Sequence, residues 1–326
     1  MTRRSAIVGA VLVAGLLLVL VFPFTSVSGG FLRTVTVVIM AACTAQAWNL
    51  IGGYAGYGAF GNVAFFGLGG YGTAICMTTL KMDFFPALAV GGAVAALYAA
   101  VLGVPILRLK GHYFSIATLG VAEATREIVA NLTDLTGGGS GILLPISADR
   151  PDVFNRFIYF TMLALLIGSI GLTWLVTRSK LGYGLVAIRE DEEAARAMGI
   201  DTTRYKVTAF GLNALITGLA GGIYAYWNSQ LTPPDAFTLD ITLRAIIISI
   251  IGGPGTLFGP VIGAIAFEFA RDFLWSHFQG FQFTFLGLVM VLVIIFMPKG
   301  IMDFLTGRRR FTPAALLQYV RENRVA

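Results

Sequence analysis

The chain reads as an all-α fold: a polytopic membrane helix bundle of about 8–10 transmembrane segments with cytoplasmic N- and C-termini. Three features lead there. Charged residues make up 12% of the chain, against roughly 25% in an average soluble protein. Hydrophobic residues make up 56% and the mean hydropathy is +0.80. Apolar runs of about 20 residues, the length that crosses a bilayer core, recur from end to end. So few charges cannot build a water-facing surface, which excludes both a soluble globular domain and a disordered chain. The runs are continuous, without the period-two alternation of a transmembrane barrel. Glycine contributes 40 residues, where ordinary usage gives roughly 23, as expected for closely packed helices with deliberate breaks.

Ten candidate spans follow in order: about 5–24, 31–52, 58–80, 85–107, 112–131, 157–177, 206–228, 239–252, 257–270 and 283–298. The first follows Arg3 and Arg4. Its apolar run exceeds a signal-peptide core and no A-x-A site follows, so it is expected to be retained. The second and third flank a glycine-rich stretch at 52–61, and the fourth and fifth are joined by Arg108–Gly111. The eighth and ninth are short and separated by Gly253, Pro254, Gly255 and Thr256. They are either half-helices or one broken unit. Neither long connection could bury a core of its own. The expected organisation is an N-terminal span at 1–30, one membrane domain at 31–305 and a tail at 306–326.

Orientation follows from Lys and Arg in the connections. With the N-terminus inside, the inner segments hold Arg3, Arg4, Arg108, Lys110, Arg178, Lys180, Arg189, Arg196, Arg204, Lys206, Lys299, Arg308, Arg309, Arg310, Arg321 and Arg324. The outer ones hold only Arg33, Lys81, Arg150, Arg156 and Arg271. The net charge of +6 therefore reflects basic cytoplasmic loops in contact with membrane lipid, and no nucleic acid is implied.

The inner connection at 178–206 is the most polar stretch. Leu185 to Met198 contains good helix formers and no proline, and Gly199 supplies a stop. A single amphipathic helix is expected, with Leu185, Ile188, Ala195 and Met198 near one face and Glu190, Glu193 and Ala197 on another. Glu193-Ala194-Ala195, followed four residues on by Gly199, is similar to the E-A-A-x-x-x-G core of the coupling loop in ABC importer permeases. The match is partial, since no I-x-L-P extension follows.

Two further stretches sharpen this. One is Trp48-Asn49-Leu50-Ile51-Gly52-Gly53-Tyr54-Ala55-Gly56, running on through Gly58, Gly61 and Asn62 to Gly67; the other is Gly252-Gly253-Pro254-Gly255-Thr256-Leu257-Phe258-Gly259-Pro260. With Ala187-Ile188-Arg189-Glu190-Asp191, Gly199-Ile200-Asp201, Lys110-Gly111-His112 and Thr136-Gly137-Gly138, the chain from about 34 to 300 resembles the LivM-type permease of branched-chain amino acid ABC importers. The resemblance implies a bacterial inner-membrane subunit working with a second, LivH-like permease subunit, two ATP-binding subunits and a periplasmic substrate-binding protein. It also implies that Arg189, Glu190, Asp191, Glu193, Ala194, Ala195 and Gly199 couple to the ATPase. Tyr57, Ala59 and His112 stand where the family often has Gln, Ser and Asp. These departures bear on the substrate, and related permeases carry urea and short amides.

The glycine interruptions admit two readings. They are either close packing through small residues or backbone lining a polar path, with Gly53, Gly56, Tyr57, Asn62, Gly252 and Gly253 as candidates. The two stretches run in the same direction, so they form no inverted repeat. Glu123, Arg126 and Glu127 share one face of the fifth span. There Arg126 can neutralise a carboxylate in an interfacial ion pair, or Glu123 and Arg126 can line an outer vestibule. Arg244 and Glu268 are expected to snorkel from the outer ends of the short spans.

No GxxxxGK[ST] phosphate loop occurs, and Cys43 and Cys76 provide neither a disulfide framework nor a metal cluster. No catalytic residues, metal site or directly bound cofactor is expected; ATP would be used by the partner subunits. An ion-coupled secondary transporter stays open as the alternative, although the only candidate relay, Glu123 and Glu127, lies near the interface.

Overall fold

The computed structural model describes residues 22–24, 29–145, 150–277, 287 and 300–305. The expected spans at 5–24 and 283–298 lie outside the described residues, apart from the turn Phe22–Phe24 and Gly287, as does the tail at 306–326.

The described residues form an all-α polytopic membrane bundle. Helix α1 (Gly29–Asn49) runs into a π-helical turn, Leu50–Tyr54. Then come α2 (Asn62–Thr78), α3 (Phe84–Ile106), α4 (His112–Asn131) and α5 (Pro151–Thr177). Two short helices, α6 (Lys180–Glu190) and α7 (Glu192–Ala197), precede α8 (Thr202–Asn228). Helices α9 (Leu239–Gly252), α10 (Gly259–His277) and α11 (Gly300–Leu305) follow, and two single-turn helices, Thr133–Thr136 and Pro233–Ala236, lie in the connections. Four of the described segments are long and apolar enough to cross a membrane: Gly29–Tyr54, Phe84–Ile106, Pro151–Thr177 and Thr202–Asn228. Helix α9, with 14 residues, extends only about 21 Å at 1.5 Å per residue. It reaches part of the way across and turns back into α10 through the glycine-rich hairpin.

Helices α2, α3 and α8 form one tight layer, and α1 packs against α5, α8, α9 and α10. Small residues allow the close approach. A Cβ on Gly69 would lie 2.1 Å from the Gly218 carbonyl oxygen, and one on Gly221 would lie 2.0 Å from that of Phe66. Backbones in contact maximise dispersion, which drives helix association where lipid tails are as apolar as the side chains.

The connections separate into two ends. At one, residues around 53–58, 107–112, 189–206 and 253–256 bond to each other. These are the segments the basic-residue count groups together. At the other, β1 (Ile142–Leu143) pairs antiparallel with β2 (Gln230–Leu231), with Ile142 opposite Leu231. The Tyr71 hydroxyl donates to the Leu231 carbonyl there.

Candidate functional site

The loop at the basic end departs from the expected single helix. Asp191 takes an extended conformation (φ −159°, ψ 113°) and ends α6. Its Oδ1 accepts from the backbone N–H groups of Glu193 (2.8 Å) and Ala194 (3.0 Å), so it caps α7. Sequence periodicity misses the break because the stretch holds no glycine or proline and most of its residues form helix well, and the capping carboxylate decides the outcome. Gly199 does end the segment, at φ +85°. The Ile200 N–H donates to the Ala195 carbonyl and the Gly199 N–H to that of Arg196, a Schellman closure that needs this left-handed residue. Leu185, Ile188 and Ala195 are buried as the face pattern predicts. Met198 is not: it is 85% exposed, because the break at Asp191 turns the face past it. Glu190, Glu193 and Ala194 also point outward.

The inner side of α7 is held by Glu192. Lys206, at the start of α8, is 2% exposed. Its ammonium donates to Glu192 Oε1 (2.7 Å), the Leu107 carbonyl (2.8 Å) and the Tyr57 hydroxyl (3.0 Å). All three of its protons are used. Tyr57 donates in turn to Glu192 Oε2. Arg196 reaches Glu192 Oε1 at 3.1 Å and Thr202 at 3.2 Å. Burial pushes the Glu192 carboxyl upward, but the bonds from Lys206 and Tyr57 and the Lys206 charge outweigh it and hold the group below its ordinary value. Burial and the neighbouring Glu192 both raise the Tyr57 phenol. Outside this knot, Lys110 pairs with Glu193 at 2.7 Å, and that hydrogen bond raises the Lys110 ammonium.

Arg189 makes the second anchor. Its Nη1 donates to the Gly53 carbonyl at 3.1 Å, and its Nη2 pairs with Glu190 at 3.0 Å. Gly53 belongs to the π-helical turn that ends α1, an irregularity often found where function resides. The two glycine-rich stretches, alike only in composition, meet at this point. Asn49 Oδ1 accepts from the Gly255 N–H (2.8 Å), and its Nδ2 donates to the Thr256 carbonyl (2.9 Å). A Cβ on Gly53 would lie 2.4 Å from the Gly255 nitrogen. One on Gly252 would lie 1.8 Å from the Gly259 carbonyl, and Gly253 packs against Gly300. Gly53, Gly252 and Gly253 are therefore buried at backbone contacts. Gly56 and Tyr57 border an open cleft of about 360 Å³ together with Lys110, His112, Arg189 and Glu192.

The other sequence-predicted residues lie apart from this cluster. Asn62 is buried and exchanges two amide hydrogen bonds with Asn213 of α8, at 3.1 and 2.8 Å. Glu123 and Glu127 both pair with Arg126 on the exposed face of α4, the Glu127 contact being 2.9 Å. Of Arg244 and Glu268, the glutamate does not project to the surface, while the Arg244 side chain is part-exposed and pairs with Asp240. Glu268 is 6% exposed, with Arg271 at 3.0 Å and Arg244 at 3.9 Å. Two guanidiniums, those of Arg271 and Arg244, face the buried carboxylate.

Sequence reasoning missed Glu192, Lys206 and Asn49 as site residues. Lys206 gives one clue, a lysine beside tyrosine at the head of a long apolar run. Asn49 gives another, an amide preceding a glycine pair.

The comparisons agree on one family. The family model described as branched-chain amino acid transport system, permease component, matches residues 30–297. The high-affinity branched-chain amino acid transport system permease protein LivM of Escherichia coli (strain K12) is 30% identical over 317 residues, covering 89% of this chain and 74% of its own. The probable branched-chain amino acid transport permease protein LivM of Methanocaldococcus jannaschii is 22% identical, covering 91% of this chain and 83% of its own. The L-arabinose ABC transporter permease protein AraH of Azospirillum brasilense matches less of the chain, at 26% identity over 63% of this chain and 60% of its own. No solved structure matches the chain. With a family model matched over most of its length and a 30%-identical relative covered over three quarters, the chain belongs to the permease components of the branched-chain amino acid transport systems.

Proposed function

We propose that this chain is the permease subunit of an ATP-driven importer for branched-chain amino acids in the bacterial cytoplasmic membrane. Its basic end faces the cytoplasm and receives an ATP-binding subunit on α6–α7. A second permease subunit, a second ATP-binding subunit and a periplasmic binding protein complete the assembly. The chain itself performs no chemistry on its cargo.

The observation that carries this reading is the two-sided build of α7. Its outward side offers Glu193, Ala194 and the exposed Met198. Its inward side is tied through Glu192 to Lys206 on α8 and to Tyr57. Arg189 adds the tie from α6 to Gly53 in the π-helical turn that ends α1. A displacement of α7 by a docked ATPase is thus handed to two long helices by charge-assisted hydrogen bonds, which resist stretching more than neutral ones. Small Ala194 permits close seating, and Gly199 returns the chain to α8. The relatives named for branched-chain amino acid transport support the substrate class.

The test is reconstitution with the partner subunits in proteoliposomes. Glu193→Lys and Gly199→Asp should leave basal ATP hydrolysis in place and lose its coupling to leucine uptake. Normal coupling in both variants would overturn the docking assignment. Uptake that ignores orthovanadate and collapses with an ionophore would overturn the ATP-driven reading.

A further inference from the structure

At the end of the bundle away from α6–α7, α1, α8, α9 and α10 enclose an open cleft of about 400 Å³. We propose that this cleft is a transit site for a zwitterionic aliphatic amino acid, an assignment that rests on the importer reading above. The size is that of small-molecule sites generally.

The cleft is lined by both signs of charge. Arg244 of α9 and Arg271 of α10 border it, with Glu268 and Asp272 of α10. Glu268 is 6% exposed, and its two oxygens differ. Oε2 accepts from Arg271 at 3.0 Å. Among the described residues Oε1 is buried without a hydrogen-bond partner, and Arg244 Nη1 lies 3.9 Å from it. A buried carboxylate oxygen without a donor is costly. An α-ammonium group supplies the missing donors at a point charge. Arg244, which also pairs with Asp240, presents a planar guanidinium suited to the α-carboxylate. The α1 wall contributes Val37, Val38 and Met40, an apolar surface against which an aliphatic side chain is desolvated. Charges of both signs beside an apolar wall, within a membrane bundle where ionisable groups are expensive, match the three parts of such an amino acid.

The test uses the complex with both ATP-binding subunits in nanodiscs. Thr34 lines the cleft, and Thr34→Cys preserves its size. Both native cysteines are buried. Leucine should slow maleimide labelling of Thr34→Cys. Isoamylamine, which lacks the carboxylate, and 4-methylpentanoate, which lacks the ammonium, should each require at least about tenfold higher concentration. Glu268→Gln should weaken leucine protection by a similar factor while leaving 4-methylpentanoate unchanged. Labelling untouched by leucine, or slowed equally by 4-methylpentanoate, would overturn the site. Because the Thr34→Cys measurement needs no change at Glu268, it decides the matter even where Glu268→Gln fails to assemble. Leucine uptake by the unmodified complex is measured in parallel. Uptake with an unprotected Thr34→Cys removes the cleft alone, whereas no uptake of any aliphatic amino acid removes the importer reading and this assignment with it.

Discussion

The Lys206 ammonium lies 2.7 Å from Glu192 and is sealed from solvent at 2% exposure, which makes the pair a buried joint between α7 and α8. Removing one member of such a pair leaves an uncompensated charge and typically costs about 3–5 kcal/mol. Lys206→Met is therefore expected to destabilise the protein by about 3 kcal/mol. Adding Glu192→Leu should restore much of the loss, because the orphaned carboxylate goes with it. Thermal unfolding of the purified single and double variants measures this. A double variant no more stable than Lys206→Met would refute the coupling.

The same joint has a pH signature. The Glu192 carboxyl is held below its ordinary value. A depressed folded-state pKa contributes stability that is present above the unfolded value, near 4.3, and is lost as pH falls through the folded value. The unfolding temperature should thus drop below about pH 4, and Glu192→Gln should flatten that part of the profile. Parallel profiles for the two proteins would count against the assignment.

Gly56 sits at φ +75°, and a Cβ there would meet Arg189 Cγ at 2.8 Å. Gly56→Ala combines backbone strain of about 1–2 kcal/mol with displacement of the Arg189 side chain from Gly53. Arg189→Gln removes the bond to the Gly53 carbonyl without the strain. Both variants should lower leucine-stimulated ATP hydrolysis more than basal hydrolysis. Equal loss of both activities would indicate misfolding instead.

Asn62 and Asn213 bond reciprocally in the interior. Interhelical side-chain bonds in membrane bundles contribute about 0.6 kcal/mol on average and up to about 1.7. The reciprocal geometry puts this pair at the upper end. A double-mutant cycle with Asn62→Leu and Asn213→Leu should return a coupling energy of about 1–2 kcal/mol. A value near zero would show that the two amides do not support each other.

The residues differ in how readable they are. Gly199 was legible because a helix of good formers followed by glycine has one common ending. The break at Asp191 was not, because the acidic run looks helical until its carboxylate turns to the Glu193 and Ala194 N–H groups. Glu192 carried no more signal than Glu190 or Glu193, and only burial against Lys206 separates it from them. Arg244 and Glu268 look like snorkelling charges from their positions near helix ends. The packing of α9 on α10 instead buries Glu268 between Arg244 and Arg271.

Composition, run length and the placement of Lys and Arg determined the membrane bundle and grouped its connections, because hydropathy and charge act over tens of residues and leave a one-dimensional trace. The glycine-rich and coupling-loop motifs added the family. Tertiary structure alone decided which residues touch. Asn49 reaches Gly255 across 206 residues of sequence, and Lys206 reaches Leu107 across 99. Such pairings depend on the azimuth of each helix and on how closely glycine lets backbones approach, and neither is recorded in the order of residues along any single helix.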